Sequence, residues 1–506
     1  MCREVLRFIA NLAAVVSVGT GTLRAQTVLD GALQIETYVD GFTSPAFFEF
    51  LPASHGNPVE LLLGEIGTGR ILHFRDAVLQ GPAVDFDVAY LFERGLFGIA
   101  LHPAFPASPY VYVYYTRSNT GDDTDQIDGA AENRVVRLTW NGSTLEDEMV
   151  LLTLPVGTSH NGGVLLFGPD GMLYGSIGEA GSLFGQLQNF PEGPPPDDTS
   201  IIFRLQPDGM APADNPFFAL GGAMQKVYAY GTRNVFGLDF DPFSDVLWDT
   251  DNGPADYDEV NRVPPGMNGG WRQIMGPDER DTEGVGDLWM APGATYVDPV
   301  FSFFESFGIT AISFVRGSGL GAHYDGDVFV AAHNSMDIYH FEVSGDRTTL
   351  VMPEASVADR VADTSTERDV FLWGTDLGVV TDIETGPDGA LYFLRISGFA
   401  QIYRVFRPAT SDAGSRLPEL RMVVSPNPFR TSVQIRLPDR TDAATVRIFT
   451  ADGRLVRALP GTAAGRATIL WDGRDSSGRE AAAGVYWAEL PRSGDVPYRS
   501  KLVLVR

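Results

Sequence analysis

Thr158-Ser159-His160-Asn161-Gly162-Gly163-Val164-Leu165-Leu166-Phe167-Gly168-Pro169-Asp170-Gly171-Met172-Leu173-Tyr174 places one imidazole at the entry to a strand, then a Pro-Asp-Gly turn, then a second strand. Proline presets φ and glycine accepts positive φ, so the two apolar runs can pair as a hairpin. A unit of strand, turn drawn from Pro, Gly and Asp, and strand recurs at Ala46 to Gly64, Leu96 to Tyr115, Val235 to Asp249, Ile312 to Ala332 and Ile383 to Leu394. With Val164 to Ile177 these make six units at intervals of roughly 50 to 75 residues, the spacing of blades stretched by loop insertions. Apolar and polar residues alternate at period two, as in Tyr110-Val111-Tyr112-Val113-Tyr114-Tyr115, and helical periodicity is scarce. The pattern predicts an all-β fold whose body, residues 30–407, is a six-bladed β-propeller; a β-sandwich of this length fits the long repeat less well.

Composition changes near Arg407. Residues 408–417 are polar and Pro/Ser/Gly-bearing, as a linker is, and 418–506 carry short alternating segments. Val433–Leu437, Thr445–Phe449, Ala467–Trp471 and Gly484–Trp487, with Asp452-Gly453 and Asp472-Gly473 turns, predict a small β-sandwich. At the other end, Arg3 and Arg7 precede an apolar run from Phe8 to Val18, and Ala25 offers a small residue at a cleavage point. Residues 1–25 therefore read as a secretory signal peptide, which places the mature protein outside the cell or at its surface. The sole cysteine, Cys2, lies in that leader, so the exported chain would carry neither disulfide nor thiolate metal site.

The 506 residues include 65 Asp and Glu against 37 Lys and Arg, a formal net charge of -28. Such a field repels phosphate backbones, so no nucleic-acid partner is expected, and the acidity suits solubility in an extracellular or saline medium. No stretch after the leader is apolar for the ~20 residues that a membrane helix needs.

Four stretches carry a family likeness: Gly95-Leu96-Phe97-Gly98-Ile99-Ala100-Leu101-His102-Pro103, then His160 to Tyr174, then Gly231-Thr232-Arg233-Asn234-Val235-Phe236-Gly237-Leu238, and then Asp251 to Asn261 running on to Asn268-Gly269-Gly270-Trp271. In order and spacing, over roughly residues 35 to 405, they resemble the quinoprotein soluble glucose and aldose dehydrogenases, also called the glucose/sorbosone dehydrogenase family. The tail, through Ser425-Pro426-Asn427-Pro428-Phe429, Asp452-Gly453-Arg454, Trp471-Asp472-Gly473-Arg474-Asp475 and Lys501 to Arg506, resembles the Ig-like C-terminal modules of the flagellar-hook-cap type and the type A sorting domains of type IX secretion. The second likeness leaves open an export address, with secretion machinery as partner, or a purely structural module.

The first resemblance implies pyrroloquinoline quinone (PQQ) and calcium as cofactors, a sugar substrate and an external electron acceptor. Under it His160 is the base that takes the sugar C1 hydroxyl proton, since an imidazole titrates near neutrality. Arg233 is the fixed cation that meets charge developing on the quinone, with Asn234 beside it as a hydrogen-bond donor. The carbonyls of Gly253 and Pro254 are implied as ligands of the active-site calcium, and Glu259 with the carbonyl of Gly269 as ligands of a second, structural one.

The chain departs from the family where PQQ carboxylates meet a lysine and two arginines. The corresponding stretches read Ala331-Ala332-His333-Asn334-Ser335-Met336 and Gly378-Val379-Val380-Thr381-Asp382, with no Lys or Arg in either. Glu93 stands where the family has a glutamine, an extra carboxylate that disfavours an anionic cofactor, and Glu179-Ala180 replaces an Asp-Gln pair. Other candidate motifs read as ordinary structure. The Asp251 to Glu259 loop fails the EF-hand pattern, Gly64 to Gly69 lacks the strand-to-helix setting of a dinucleotide site, and Gly121 to Asp125 reads as a solvated loop. No Gly-x-Ser-x-Gly or His-Glu-x-x-His occurs. Two functions stay open: a secreted PQQ-dependent sugar dehydrogenase, or a cofactor-free propeller that binds carbohydrate or a surface partner.

Overall fold

The computed structural model describes residues 26–52, 59–181, 189–193, 196–398, 400–408, 423–425, 429–436, 445–450, 454–460, 468–490 and 498–505. The expected leader, all of the expected linker except Pro408, and the Asp452-Gly453 turn lie outside them. The chain is all-β, and α-helix among the described residues is confined to Ser365–Arg368. It divides into two compact units, Met1–Pro408 and Ala409–Arg506.

Six sheets make up the described part of the first unit. Their first strands are Pro45–Leu51, Leu96–Leu101, Leu165–Phe167, Val235–Phe240, Ile309–Phe314 and Val380–Thr385, and each expected repeat unit supplies the first two strands of one sheet. The six first strands neighbour one another in chain order, and the sixth neighbours the first. They enclose a central cavity of about 340 Å³ that all six line. The N-terminal strand Gln34–Asp40 closes the ring by pairing antiparallel with Gln401–Phe406 on the outside of the sixth sheet. Thr27–Val28 pairs with Gly374–Thr375 of the fifth sheet, so the body starts at residue 27 rather than the expected 30.

Period-two alternation here does not separate core from solvent. Tyr112 and Tyr114 pack with Leu165, Ile177 and Phe203 of the third sheet, whereas Val111, Val113 and Tyr115 pack with Leu62 and Ile71 of the first. Each sheet is thus sandwiched between two neighbours, and both of its faces are buried.

The Pro-Asp-Gly turns are locks between strands. At the third sheet, Gly168 and Gly171 N–H donate to the carbonyls of Met172 and Gly168, both at 2.9 Å, with Gly171 at φ 77°. Asp170 Oδ2 then accepts Tyr174 O–H at 2.9 Å and Arg204 Nε at 2.9 Å, and Tyr174 faces Arg204 across the ladder. The sixth sheet repeats the device with Asp388, Tyr392 and Arg404, at 3.3 and 2.8 Å.

In the second unit, Val423–Ser425, Val433–Arg436 and Thr468–Trp471 form one sheet, and Thr445–Thr450, Leu455–Pro460, Gly484–Leu490 and Tyr498–Leu504 another. One apolar cluster serves this unit, with Trp471 fully buried against the rings of Phe429 and Tyr486 at 5.5 and 5.1 Å. Trp471 is satisfied there because its Nε1–H donates to the Arg474 carbonyl at 2.9 Å.

Candidate active site

First strands of the third and fourth sheets begin, and their second strands end, at the same end of the ring, and the implied catalytic residues gather there. His160 precedes Leu165–Phe167, Arg233 and Asn234 directly precede Val235–Phe240, Glu179 follows Leu173–Ile177, and Asp251 ends Leu247–Asp251. Gly178 lets these segments meet. A Cβ at that position would lie 2.6 Å from the Arg233 carbonyl oxygen and 2.7 Å from that of His160, contacts no side chain tolerates.

His160 sits in a loop at φ 56°, a left-handed conformation costly for a non-glycine residue. Its N–H donates to Glu93 Oε2 at 2.6 Å, its ring Nδ1 is 2.9 Å from Glu179 Oε1, and Nε2 is 3.4 Å from Arg233 Nη2. An ionised carboxylate only accepts, so Nδ1 carries the proton and donates to Glu179, leaving the Nε2 lone pair on the Arg233 side.

Glu179 joins the group. Its Oε2 accepts Trp271 Nε1–H at 3.2 Å, and its Oε1 is 4.0 Å from Arg233 Nε. Arg233 lies with its guanidinium carbon 5.5 Å from the centroid of the Trp271 ring. Side-chain exposure is 15% for His160, 6% for Glu179 and 13% for Arg233, so their charges interact with little screening. The Glu179 carboxylate is committed to His160, Trp271 and Arg233 rather than left facing a ligand. Asp251 fixes the backbone, its two oxygens accepting the N–H of Arg233 at 2.8 Å and of Asn234 at 2.6 Å. Burial pushes the Asp251 carboxyl up to about 6, and the two N–H donors and Arg233 pull it back.

The implied calcium ligands separate into two places. Arg233 Nη1 donates to the carbonyls of Asn252 at 2.7 Å and Gly253 at 3.0 Å, so a guanidinium holds the Gly253 oxygen assigned to calcium. Pro254 beside it is exposed. Glu259 is buried, its oxygens accepting Gly276 N–H at 2.5 Å and Asn261 Nδ2–H at 3.1 Å. Burial first, and then Asp251 directly across the ladder, push its carboxyl up to about 8. Gly269 is half-buried and donates its N–H to the Tyr230 carbonyl at 2.9 Å. The neighbouring Asp258 turns to Gly253, and successive strand residues face opposite ways, so Glu259 belongs to a different face. No group of three or more His, Cys, Asp or Glu poised for a metal occurs among the described residues.

Four buried polar atoms at this end have no hydrogen-bond partner among the described residues: Arg233 Nε, Asn234 Oδ1, Thr232 Oγ1 and Asn252 Oδ1. Unpaired buried polar atoms are costly, and a polar ligand here would relieve them. Arg233 Nε and the Thr232 hydroxyl can donate to the carbonyl end of a quinone, whereas the two amide oxygens only accept. The site offers less to carboxylates, because at the fifth sheet Asn334 turns its side-chain oxygen to His333 Nδ1 at 2.9 Å and no cation replaces the missing lysine in that stretch. Nothing in the local sequence pattern of Glu179, Trp271 and Asp251 says which side chains they meet.

The glucose/sorbosone dehydrogenase family pattern matches residues 44–404, and the FlgD Ig-like domain pattern matches residues 427–493. The chain is 27% identical over 387 residues to the aldose sugar dehydrogenase YliI of Escherichia coli (strain K12), a match covering 74% of this chain and 92% of that protein. It is 32% identical over 241 residues to quinoprotein glucose dehydrogenase B of Acinetobacter calcoaceticus, covering 43% of this chain and 48% of that one. The PQQ-bound aldose sugar dehydrogenase of Streptomyces coelicolor shares the fold, with a TM-score of 0.53 at 23% identity over 76% of this chain and 99% of that one. With the match running through all six sheets and through His160, Arg233 and Asp251, the chain belongs to the glucose/sorbosone dehydrogenase family and ends in a FlgD Ig-like domain.

Proposed function

We propose that the protein is a secreted sugar dehydrogenase that oxidises the C1 hydroxyl of an aldose with PQQ and calcium and passes the electrons to an external acceptor. The observation that carries this reading is the part-buried His160–Glu179–Arg233 group. His160 Nε2, with its other nitrogen committed to Glu179, takes the hydroxyl proton, and Glu179 offsets the imidazolium that results. Arg233 and Asn234 present donors to negative charge developing on oxygen beside them. Bound at this end, PQQ supplies the two-electron acceptor for the C1 hydrogen. Calcium would be held by the carbonyls of Gly253 and Pro254, with Arg233 Nη1 releasing the first, and a second ion by Glu259 and the Gly269 carbonyl. The six sheets are read as six propeller blades, supported by the ring order of their first strands, and the two tail sheets as an Ig-like sandwich serving export or attachment.

A cofactor-free propeller that binds carbohydrate is the second reading, favoured by the absence of Lys and Arg from Ala331 to Met336 and from Gly378 to Asp382. Dye-linked turnover of aldoses at high PQQ concentration with calcium separates the two. Activity lost in His160→Ala supports the dehydrogenase; absence of PQQ binding at millimolar concentration supports the binding propeller. Calcium added to chelator-stripped protein is expected to raise Tm by mass action, and an unchanged Tm removes the metal from the reading.

A further inference from the structure

At the opposite end of the third and fourth sheets, beyond the Pro169-Asp170-Gly171 turn, lies a second cavity of about 650 Å³. Tyr174, Tyr228, Phe240, Pro264 and Pro265 give it aromatic and proline walls, and Arg204 and Arg262 line it as well. The Tyr174 ring meets Tyr228 and Phe240 edge to face at 5.0 and 5.1 Å, which holds the walls in place.

The two arginines differ. Arg204 is locked between Asp170 and Asp214 at 2.8 and 2.9 Å. Arg262 occupies the matching rung of the fourth sheet, facing Trp248 across the ladder as Arg204 faces Tyr174 and Arg404 faces Tyr392. In the third and sixth sheets the turn carboxylate supplies the lock. In the fourth, Arg347, from the loop that follows strand Ile338–Phe341 of the fifth sheet, has taken the turn residue Asp241, at 2.6 and 2.8 Å. Arg262 is left with no ion pair among the described residues, and its Nε is buried without an acceptor. Trp248 Nε1, on the same rung, also lacks one. Arg262 is half-buried and keeps its charge, while of the carboxylates lining the cavity Asp170 and Asp214 pair with Arg204 and Asp245 is exposed, so an anion entering the cavity can complete this rung.

We propose that this cavity binds a small polyhydroxy carboxylate, a sugar acid, with its carboxylate on Arg262 and its hydroxyls toward Asp170 and Asp214. Tyr228 stays a donor beside it, because burial pushes its phenol up to about 12 while Arg204 and Arg262 pull it back. Aromatic and proline walls suit the C–H faces of a hydroxylated chain, and the carboxylates of Asp170 and Asp214 accept hydroxyl protons. The proposal concerns a site separate from His160 and stands whether or not the protein is a dehydrogenase.

Titration calorimetry of the full chain with gluconate, glucose and acetate tests it. Gluconate is expected to bind wild type at least about tenfold more tightly than either control, to lose about tenfold or more in Arg262→Gln, and to keep its affinity in His160→Ala. Arg262→Gln is expected to melt close to wild type, since Arg262 is half-buried and makes no ion pair among the described residues. Should that variant fail to fold, Tyr228→Phe takes its place and is expected to weaken gluconate several-fold. The proposal is overturned if gluconate does not bind, if neither variant weakens it, if His160→Ala abolishes it, or if acetate binds as tightly.

Discussion

Two carboxylates act on His160 through different atoms. Glu93 accepts its backbone N–H and so holds a left-handed conformation in place, while Glu179 accepts its ring Nδ1–H and so decides which nitrogen is free. The first contact positions the residue and the second sets its chemistry. His160→Ala is expected to lower turnover about 10²- to 10⁴-fold, the range for losing a general base. Glu179→Gln, which keeps the shape and removes the charge, is expected to lower kcat about tenfold or more with little change in KM, as for a group needed most when the imidazolium forms. Both are read by dye-linked kinetics. A Glu179→Gln enzyme with wild-type kcat would reduce Glu179 to a packing role.

At the scale of elements, Asp258 ties the strand Asp256–Val263 to the loop that carries the site. Its Oδ1 accepts Gly253 N–H at 3.1 Å and Ser306 O–H at 2.7 Å, and its Oδ2 accepts the N–H of Phe307 at 2.8 Å and of Gly308 at 2.7 Å. Burial raises this carboxyl and the four bonds draw it back, so the group is held by its donors. Asp258→Ala would leave three main-chain N–H groups without their acceptor, each worth roughly 1 to 3 kcal/mol when buried. The expected loss is about 3 kcal/mol or more in urea unfolding, with Asp258→Asn losing less because it keeps one acceptor oxygen. Equal stability of Asp258→Ala and wild type would mean that the 253–258 loop is held by other contacts.

Across the whole molecule, carboxyl groups line the central cavity: Glu49 from the first sheet with Asp382 and Glu384 from the sixth. Burial and then Asp382 push Glu49 up to about 8, burial pushes Asp382 up to about 7, and burial and Glu49 raise Glu384. Their folded values lie above those of the unfolded chain, so the folded state holds protons that the unfolded chain gives up near pH 4. The stability they contribute is therefore present below that range and is lost as pH rises toward about 8. Tm is expected to fall by several degrees between about pH 5.5 and about pH 8.5, and Glu49→Gln to flatten the slope; a Tm that rises over this interval would contradict the assignment. The two units have separate cores, so a chain ended at Pro408 is expected to keep the cooperative melting of the first unit. Loss of that transition on truncation would show that the first unit depends on its tail.

The sequence by itself determined the strands, the six-fold repeat and the break near residue 408, because these depend on short-range physics. A Pro-Asp-Gly turn closes within five residues, and period two follows from the pleat of one strand. It also singled out His160 and Arg233, through motifs that are contiguous in the chain. Only the tertiary structure decided what those residues touch. His160 meets Glu179 19 positions away and Arg233 73 away, and the ring closes between segments whose register, Gln34 with Phe406, has no local signature. Tyr112 and Val113 look alike as strand residues, yet one packs against the third sheet and the other against the first. The same holds for Arg262, whose place on its rung matches that of Arg204 while its carboxylate has gone to Arg347. Charges pair by distance in space, and that distance is set by how six sheets pack rather than by the order of residues in any one of them.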